Sequence, residues 1–199
     1  MRAIAILMGL GAMVAPALAQ DDVVLDYRDS SVLDMADIAQ WEPVGERIGG
    51  DVVVLGEVSG AFTEAGAEEI AYLVSTEVPS QIDPFPDVAQ RLVIFAGDAQ
   101  IADWALPEDS AYSRAVTARD LDGDGIDEVI LEMGFYNMGT QTIGLAVVSV
   151  GETPEVTQTL PDVYIDSCEA GAGQLSIEAS VVFVSDGMLS SQTETLPCA

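Results

Sequence analysis

The densest group of metal-binding side chains in this chain lies in one short segment, DLDGDGIDE. Asp120, Asp122 and Asp124 occur there at alternate positions, and Glu128 follows them. Carboxylate oxygens are the hard ligands that calcium prefers, and the ion takes roughly six to eight oxygens in proteins. The segment therefore predicts a divalent-cation site, and we expect the ion to be calcium.

A sharp turn of the backbone is needed before alternate carboxylates can converge. Gly125 tolerates the positive φ of such a turn, and the turn brings the Ile126 carbonyl inward as a further oxygen ligand. Glu128 then completes the shell, while Asp127 points away from the ion. The predicted ligands are Asp120, Asp122, Asp124, Ile126 and Glu128. We expect a structural ion, and the alternative is a solvated acidic turn.

The segment does not fit an EF-hand, whose loop needs Glu at its twelfth position. That position is Leu131 here, and a strand pattern follows instead of a helix. The segment resembles the calcium loop of FG-GAP or VCBS-type repeats, in which D-x-D-x-D-G-x-x-D lies between strands of a propeller blade, as in the integrin α-subunit head. Glu128 replaces the final Asp. The resemblance implies propeller-like repeats and a domain that binds partners.

A degenerate copy of the loop is predicted upstream. Gly60–Val74 aligns without gaps to Arg119–Met133, at an offset of 59 residues. The aligned pairs are Phe62 with Leu121, Gly66 with Gly125, Glu69 with Glu128 and Ile70 with Val129. Ala61, Thr63 and Ala65 replace the three aspartates. We therefore expect a shared turn geometry and a metal in the second copy alone.

The elements around these loops read as strands. Short β-branched runs alternate with Gly, Asp and Pro, which is typical of an antiparallel all-β fold. The predicted strands cover about 22–29, 52–58, 69–75, 91–97, 113–118, 128–133, 143–150, 155–160, 175–185 and 190–196. A short helix is predicted over Ser30–Trp41, ended by Pro43. Residues 100–110 are predicted to be a loop or one helical turn that buries Trp104.

The first 19 residues have the pattern of a secretory signal peptide. Arg2 precedes an apolar run over Ala3–Val14, and Ala17-Leu18-Ala19 is a small-x-small cleavage site. The run is shorter than the roughly 20 residues of a membrane span. We expect a cleaved, periplasmic or secreted protein without a membrane span.

The remaining 20–199 is long enough for one β-rich domain. It divides into a degenerate repeat at about 51–105, a calcium-loop repeat at about 113–160 and a C-terminal part at about 161–199. Cys168 and Cys198 are the two cysteines. An even count in an exported chain predicts a disulfide, which would pin the C-terminal part and contribute roughly 3–4 kcal/mol.

The charge of the chain excludes several classes of function. It has 34 acidic and 6 basic residues, all arginine, and no histidine, which gives a net charge of −28. Such a chain repels nucleic acid. Without histidine, a Ser-His-Asp triad and a histidine-ligated zinc site are impossible. Without lysine, Schiff-base chemistry is also impossible.

These observations favour a binding or structural module over an enzyme. The expected partner is a protein or a glycan at the cell surface or in the periplasm. The alternative is a calcium-dependent hydrolase of polysaccharide or phosphoester that uses carboxylates; a pocket that combines Glu128 or Asp127 with Arg119 would favour it. We expect Trp41, Trp104 and Phe135 to belong to the core and not to form a carbohydrate platform.

Overall fold

The computed structural model describes residues 23–34, 38–83, 87–107, 111–151, 153–171, 173 and 175–198. The predicted signal peptide, residues 1–19, lies outside these ranges. In chain order the elements are β1 (Val23–Asp26), α1 (Glu42–Ile48), β2 (Val53–Gly60), β3 (Glu69–Ser75), β4 (Gln90–Ala96), β5 (Ala99–Ala105), β6 (Arg114–Arg119), β7 (Glu128–Asn137), β8 (Thr140–Val150), β9 (Pro154–Asp166), β10 (Ile177–Ser185) and β11 (Met188–Leu196).

The strands form two sheets, and every strand pair described is antiparallel. One sheet is the four-stranded meander β2-β3-β4-β5. The other has seven strands in the order β1-β10-β9-β8-β7-β6, with β11 on the second edge of β10. β10 pairs with β9 near its start and with β1 further along. The predicted antiparallel all-β class with one short helix is confirmed.

Alternation of side chains along the strands builds three apolar layers. On β3, Ala71 and Leu73 face a core between the two sheets, whereas Tyr72 and Val74 face a layer that α1 covers. On β7, Ile130 faces a third core on the far side of the seven-stranded sheet. Strands buried on both faces read as continuous apolar runs. For this reason β3 has the bounds that the sequence predicts, whereas β7 and β9 extend beyond theirs, to Asn137 and Asp166.

The helix prediction was wrong in position. Ser30–Leu33 and Ile38–Trp41 form single 3₁₀ turns, and the α-helix begins only at Glu42; residues 35–37 lie outside the described ranges. Pro43 lies in the first turn of α1. Its missing N–H costs nothing there, so proline begins this helix and does not end it. Among the described residues, no helix is long and apolar enough to cross a bilayer.

The segment predicted as a loop at 100–110 contains strand β5, and residues 108–110 lie outside the described ranges. β5 is an edge strand that pairs only with β4 among the described strands. Trp104 lies opposite Leu92, and Asp103 forms an ion pair with Arg91 at 2.5 Å. The segment has little β-branched character of its own, so its conformation depends on pairing with β4.

A disulfide and a buried hydrogen-bond network attach residues near the two ends of the described chain, Cys198 and Tyr27, to the rest of the fold. Cys168 and Cys198 form a disulfide, as predicted, with their Cα atoms 5.7 Å apart. At the other end, buried Glu132 accepts hydrogen bonds from the Tyr27 hydroxyl at 2.6 Å and from Arg114 Nε at 2.6 Å. Burial raises the pKa of Tyr27, and the charge of Glu132 adds to this, so the hydroxyl remains a donor. This buried network was not predicted.

Candidate metal centre

The acidic segment is the connection between β6 and β7, and its aspartates organise its own backbone. Asp120 accepts hydrogen bonds from the N–H groups of Gly123 at 2.7 Å and Gly125 at 2.9 Å. Asp122 accepts from Asp124 N–H at 3.1 Å. Both glycines have positive φ, +82° and +91°. Carboxylate-to-backbone bonds of this kind stabilise tight turns.

The turn brings three of the predicted ligands together. Oxygen atoms of Asp120, Asp122 and Asp124 lie within 4.8 Å of one another, and the three residues can hold a metal ion. Asp122 and Asp124 are exposed and Asp120 is partly buried. Three carboxylates at this spacing repel one another, and the repulsion is relieved when a divalent cation binds between them. The positions are thus arranged as a metal site requires.

Of the other two predicted ligands, Glu128 is not in this group of carboxylates. Glu128 begins β7, is buried, and accepts a hydrogen bond from Leu121 N–H at 2.9 Å through Oε2. Burial raises its pKa, and the charges of Asp122 and Asp124 add to the rise. Ile126 donates its N–H to Asp124 at 2.7 Å, and its side chain packs against the core between the sheets. Ligation by Glu128 and by the Ile126 carbonyl stays a prediction.

Asp127 has a role that sequence reasoning missed. It accepts a hydrogen bond from Ala61 N–H at 2.7 Å, and its own N–H donates to Ala61 O at 2.7 Å. A Cβ added at Gly60 would lie 2.8 Å from Asp127 Oδ2, so the close approach requires glycine. We call this reciprocal pair of bonds the clasp. It joins the acidic loop to the four-stranded sheet.

The upstream segment is the corresponding loop, between β2 and β3. Both loops have eight residues, 61–68 and 120–127, and both close on a pair of strand residues, Gly60 with Glu69 and Arg119 with Glu128. Glu69 accepts from the N–H groups of Phe62 at 2.6 Å and Thr63 at 2.9 Å, as Glu128 accepts from Leu121. The loops therefore share their length, their closing strand pair, the glutamate bond and one positive-φ glycine, Gly66 or Gly125. They differ at the aligned pair Glu64 and Gly123, where only the glycine has positive φ.

A cleft of about 430 Å³ opens beside the acidic loop, at the junction of the two sheets. Asp124 of the acidic loop and Glu128 at the start of β7 line one side. Phe62 and Thr63 line it from the upstream loop, and Trp104 lines it from β5. The end of β8 completes it. Elements that are distant in sequence thus converge on a concave site next to the candidate metal centre.

The comparisons with known proteins add no relative. No family model, no curated protein and no solved structure matches this chain. The resemblance to FG-GAP or VCBS-type repeats therefore depends on the acidic segment and its degenerate copy alone.

Proposed function

We propose that the mature chain is an exported, calcium-stabilised β-domain that serves as a binding or structural module for a protein or a glycan. The observation that carries the proposal is the convergence of Asp120, Asp122 and Asp124 on a turn that is clasped to the second sheet. An ion there supports the junction between the sheets and does not need to take part in a reaction.

Calcium is the ion that this donor set favours. The triad offers oxygen atoms only, and Glu128 and the Ile126 carbonyl would raise the ligand number toward that of calcium. Magnesium demands a tighter octahedron and keeps its waters. Calcium-binding modules outside cells work with dissociation constants of about 10⁻⁴–10⁻³ M, so an exposed site of modest affinity is sufficient. The net charge of −28 further raises the local cation concentration.

The hydrolase alternative has weaker support. Asp127 is occupied by the clasp, and none of the cleft-lining residues among the described ranges is an arginine. Glu128 bonds to Leu121 N–H and so holds the loop. The chain also lacks histidine, the commonest general base. The cleft therefore fits a binding surface better than a centre for acid–base catalysis.

Thermal unfolding of the processed protein in roughly 10 mM calcium, about 100-fold above a dissociation constant of about 10⁻⁴ M, and in excess EGTA tests the proposal. At a calcium concentration about 100-fold above the dissociation constant, binding adds about 2.7 kcal/mol. For a domain of this size we expect the melting temperature to rise by about 5–10 °C. Magnesium at the same concentration should give a much smaller shift.

The matched control is the double variant Asp122→Asn, Asp124→Asn, which keeps side chains of nearly the same shape. Its melting temperature should be the same in calcium and EGTA. The proposed ion site is wrong if the wild-type protein melts at one temperature in both solutions and calorimetry detects no calcium uptake at millimolar concentration.

A further inference from the structure

We infer that the cleft beside the acidic loop is a saccharide subsite that binds a neutral sugar against Trp104. This inference rests on the proposed binding function and names the partner class as glycan. Its evidence is a cleft of about 430 Å³ beside the metal triad, with a half-buried indole on its wall and polar groups at its rim that include Asp124 of the triad. This volume lies in the range of small-molecule sites, about 300–1,000 Å³.

Trp104 supplies the apolar surface. It lies on the edge strand β5, whose other side chains are mostly exposed, and it is itself partly buried against the core between the sheets. Buried Phe62 and Val150 continue the apolar surface into the cleft. An indole fixed on one side and open on the other presents a flat face to which the C–H face of a sugar ring can pack.

The rim supplies hydrogen-bonding groups that suit hydroxyls. Asp124 and Glu128 offer carboxylate oxygens, which only accept when ionised. Ser149 is partly buried, and its hydroxyl makes no hydrogen bond within the described part of the chain. Sugar hydroxyls both donate and accept, so one ring satisfies the carboxylates and Ser149 together. These groups lie beside the apolar wall, which matches the two-faced character of a sugar ring.

Charge excludes the competing ligands. No described residue that lines the cleft is positively charged, and the chain carries a net charge of −28, so an anionic ligand is repelled. An apolar side chain placed in the cleft would cover the exposed carboxylate of Asp124 without offering it a donor, and taking a charged group out of water without a new partner is costly. A neutral polyol is not repelled by the acidic chain, and its hydroxyls can donate to the carboxylates.

The experiment uses the two tryptophans of the chain. In a Trp41→Phe protein, Trp104 is the remaining tryptophan, so its fluorescence reports on the cleft alone. Trp41 does not line this cleft. The probes are neutral hexasaccharides of glucose, N-acetylglucosamine, mannose and agarose type, with oligoguluronate as the anionic comparison, all in millimolar calcium. We expect a saturable fluorescence change with at least one neutral sugar and weaker binding of oligoguluronate.

Two variants locate the binding. By calorimetry, Trp104→Ala should weaken affinity for that sugar about tenfold or more, and Ser149→Ala should weaken it about threefold to tenfold. Ser149→Ala removes only one partly buried hydroxyl, so it stays informative if the tryptophan variant fails to fold. Calcium uptake is measured on the same samples.

Three results overturn the inference. One is calcium uptake without binding of any neutral hexasaccharide, which leaves the proposed ion site intact. The second is sugar binding that neither variant weakens. The third is tighter binding of oligoguluronate than of every neutral sugar, which assigns the cleft to an anion held through calcium. Loss of calcium uptake itself contradicts the proposed function and not the cleft alone.

Discussion

The two eight-residue loops solve the same structural problem in different ways. In both, a buried glutamate at the start of a strand accepts a hydrogen bond from the backbone N–H seven residues earlier, Phe62 in one loop and Leu121 in the other. In the upstream loop Glu69 also takes the Thr63 N–H and the Thr63 hydroxyl, so the loop is closed by neutral donors.

The acidic loop lacks this closure. Asp122 stands where the upstream loop has Thr63, and a carboxylate cannot donate to Glu128 as the hydroxyl donates to Glu69. The acidic side chains raise the pKa of Glu128, in addition to the larger effect of its burial. From this difference we expect the acidic turn, unlike the upstream turn, to gain stability from a bound cation.

The largest loss of stability is expected when Glu69, the glutamate that corresponds to Glu128, is replaced by alanine. Glu69→Ala leaves the buried N–H of Phe62 and the partly buried N–H of Thr63 without their acceptor. A buried N–H without a partner costs about 1–3 kcal/mol, and a partly buried one costs less. We expect the free energy of unfolding to fall by about 2–5 kcal/mol, equally in calcium and EGTA. Chemical denaturation in both solutions measures it. Glu128→Ala is the matched variant, and its loss should be greater in calcium. Equal behaviour of the two variants would break the comparison.

The second-largest loss of stability is expected from alanine substitution at the two aligned glycines, Gly66 and Gly125. Both have positive φ, but a Cβ at Gly66 would meet nothing within 4 Å, whereas one at Gly125 would lie 2.9 Å from the Ala65 Cβ. Gly66→Ala should cost about 1 kcal/mol from backbone strain. Gly125→Ala should cost about 2–4 kcal/mol because overpacking is added.

Adding Ala65→Gly to Gly125→Ala sharpens this test, since it removes the colliding methyl group and leaves the strain. The double variant should regain at least about 1 kcal/mol of the unfolding free energy relative to Gly125→Ala alone. If the second change restores nothing, the loops do not touch at this point in solution.

Removing the clasp between Asp127 and Ala61 is expected to cause an intermediate loss of unfolding free energy. Asp127→Ala leaves the Ala61 N–H without its acceptor, and we expect a loss of about 1–3 kcal/mol in unfolding free energy. Asp127→Asn, which keeps an oxygen acceptor, should lose less. Calcium affinity, measured by titration calorimetry, should fall in Asp127→Ala if the clasp holds the acidic loop in its binding geometry. An unchanged affinity would show that the acidic loop is organised without its neighbour.

The smallest effect concerns the hydroxyl that closes the upstream loop. Thr63→Val keeps the shape of the side chain but removes the donor to Glu69, and we expect a loss of about 1 kcal/mol. Thr63→Ser retains the donor and should be closer to the wild-type protein. The free energy of unfolding in EGTA is the measurement, because no ion is then bound to the acidic loop.

Local features were the most predictable part of the fold. β3 begins and ends where the sequence predicts, because its apolar run is bounded by turn residues and buried on both faces. β5 was missed because its strand conformation depends on pairing with β4. Pro43 was misinterpreted because proline both stops a helix and begins one, and only the neighbouring turn at Ile38–Trp41 decides which.

The candidate site divides in the same way. Its aspartates were found from spacing alone, because residues within one turn of each other are brought together by the turn itself. Asp127 was assigned no contact, because its partner Ala61 is 66 residues away in the sequence. The cleft around Trp104 was also missed, and the tryptophan was predicted to be only a core residue.

By itself, the sequence determined the antiparallel β class, the acidic loop and the pair of cysteines, since each depends on short-range patterning or on a count of residues. The tertiary structure alone decided that the two loops are clasped together, that Glu132 is buried with Arg114 and Tyr27, and that Trp104 faces a cleft. Such contacts join residues whose separation along the chain carries no local signal, and packing of the two sheets selects them.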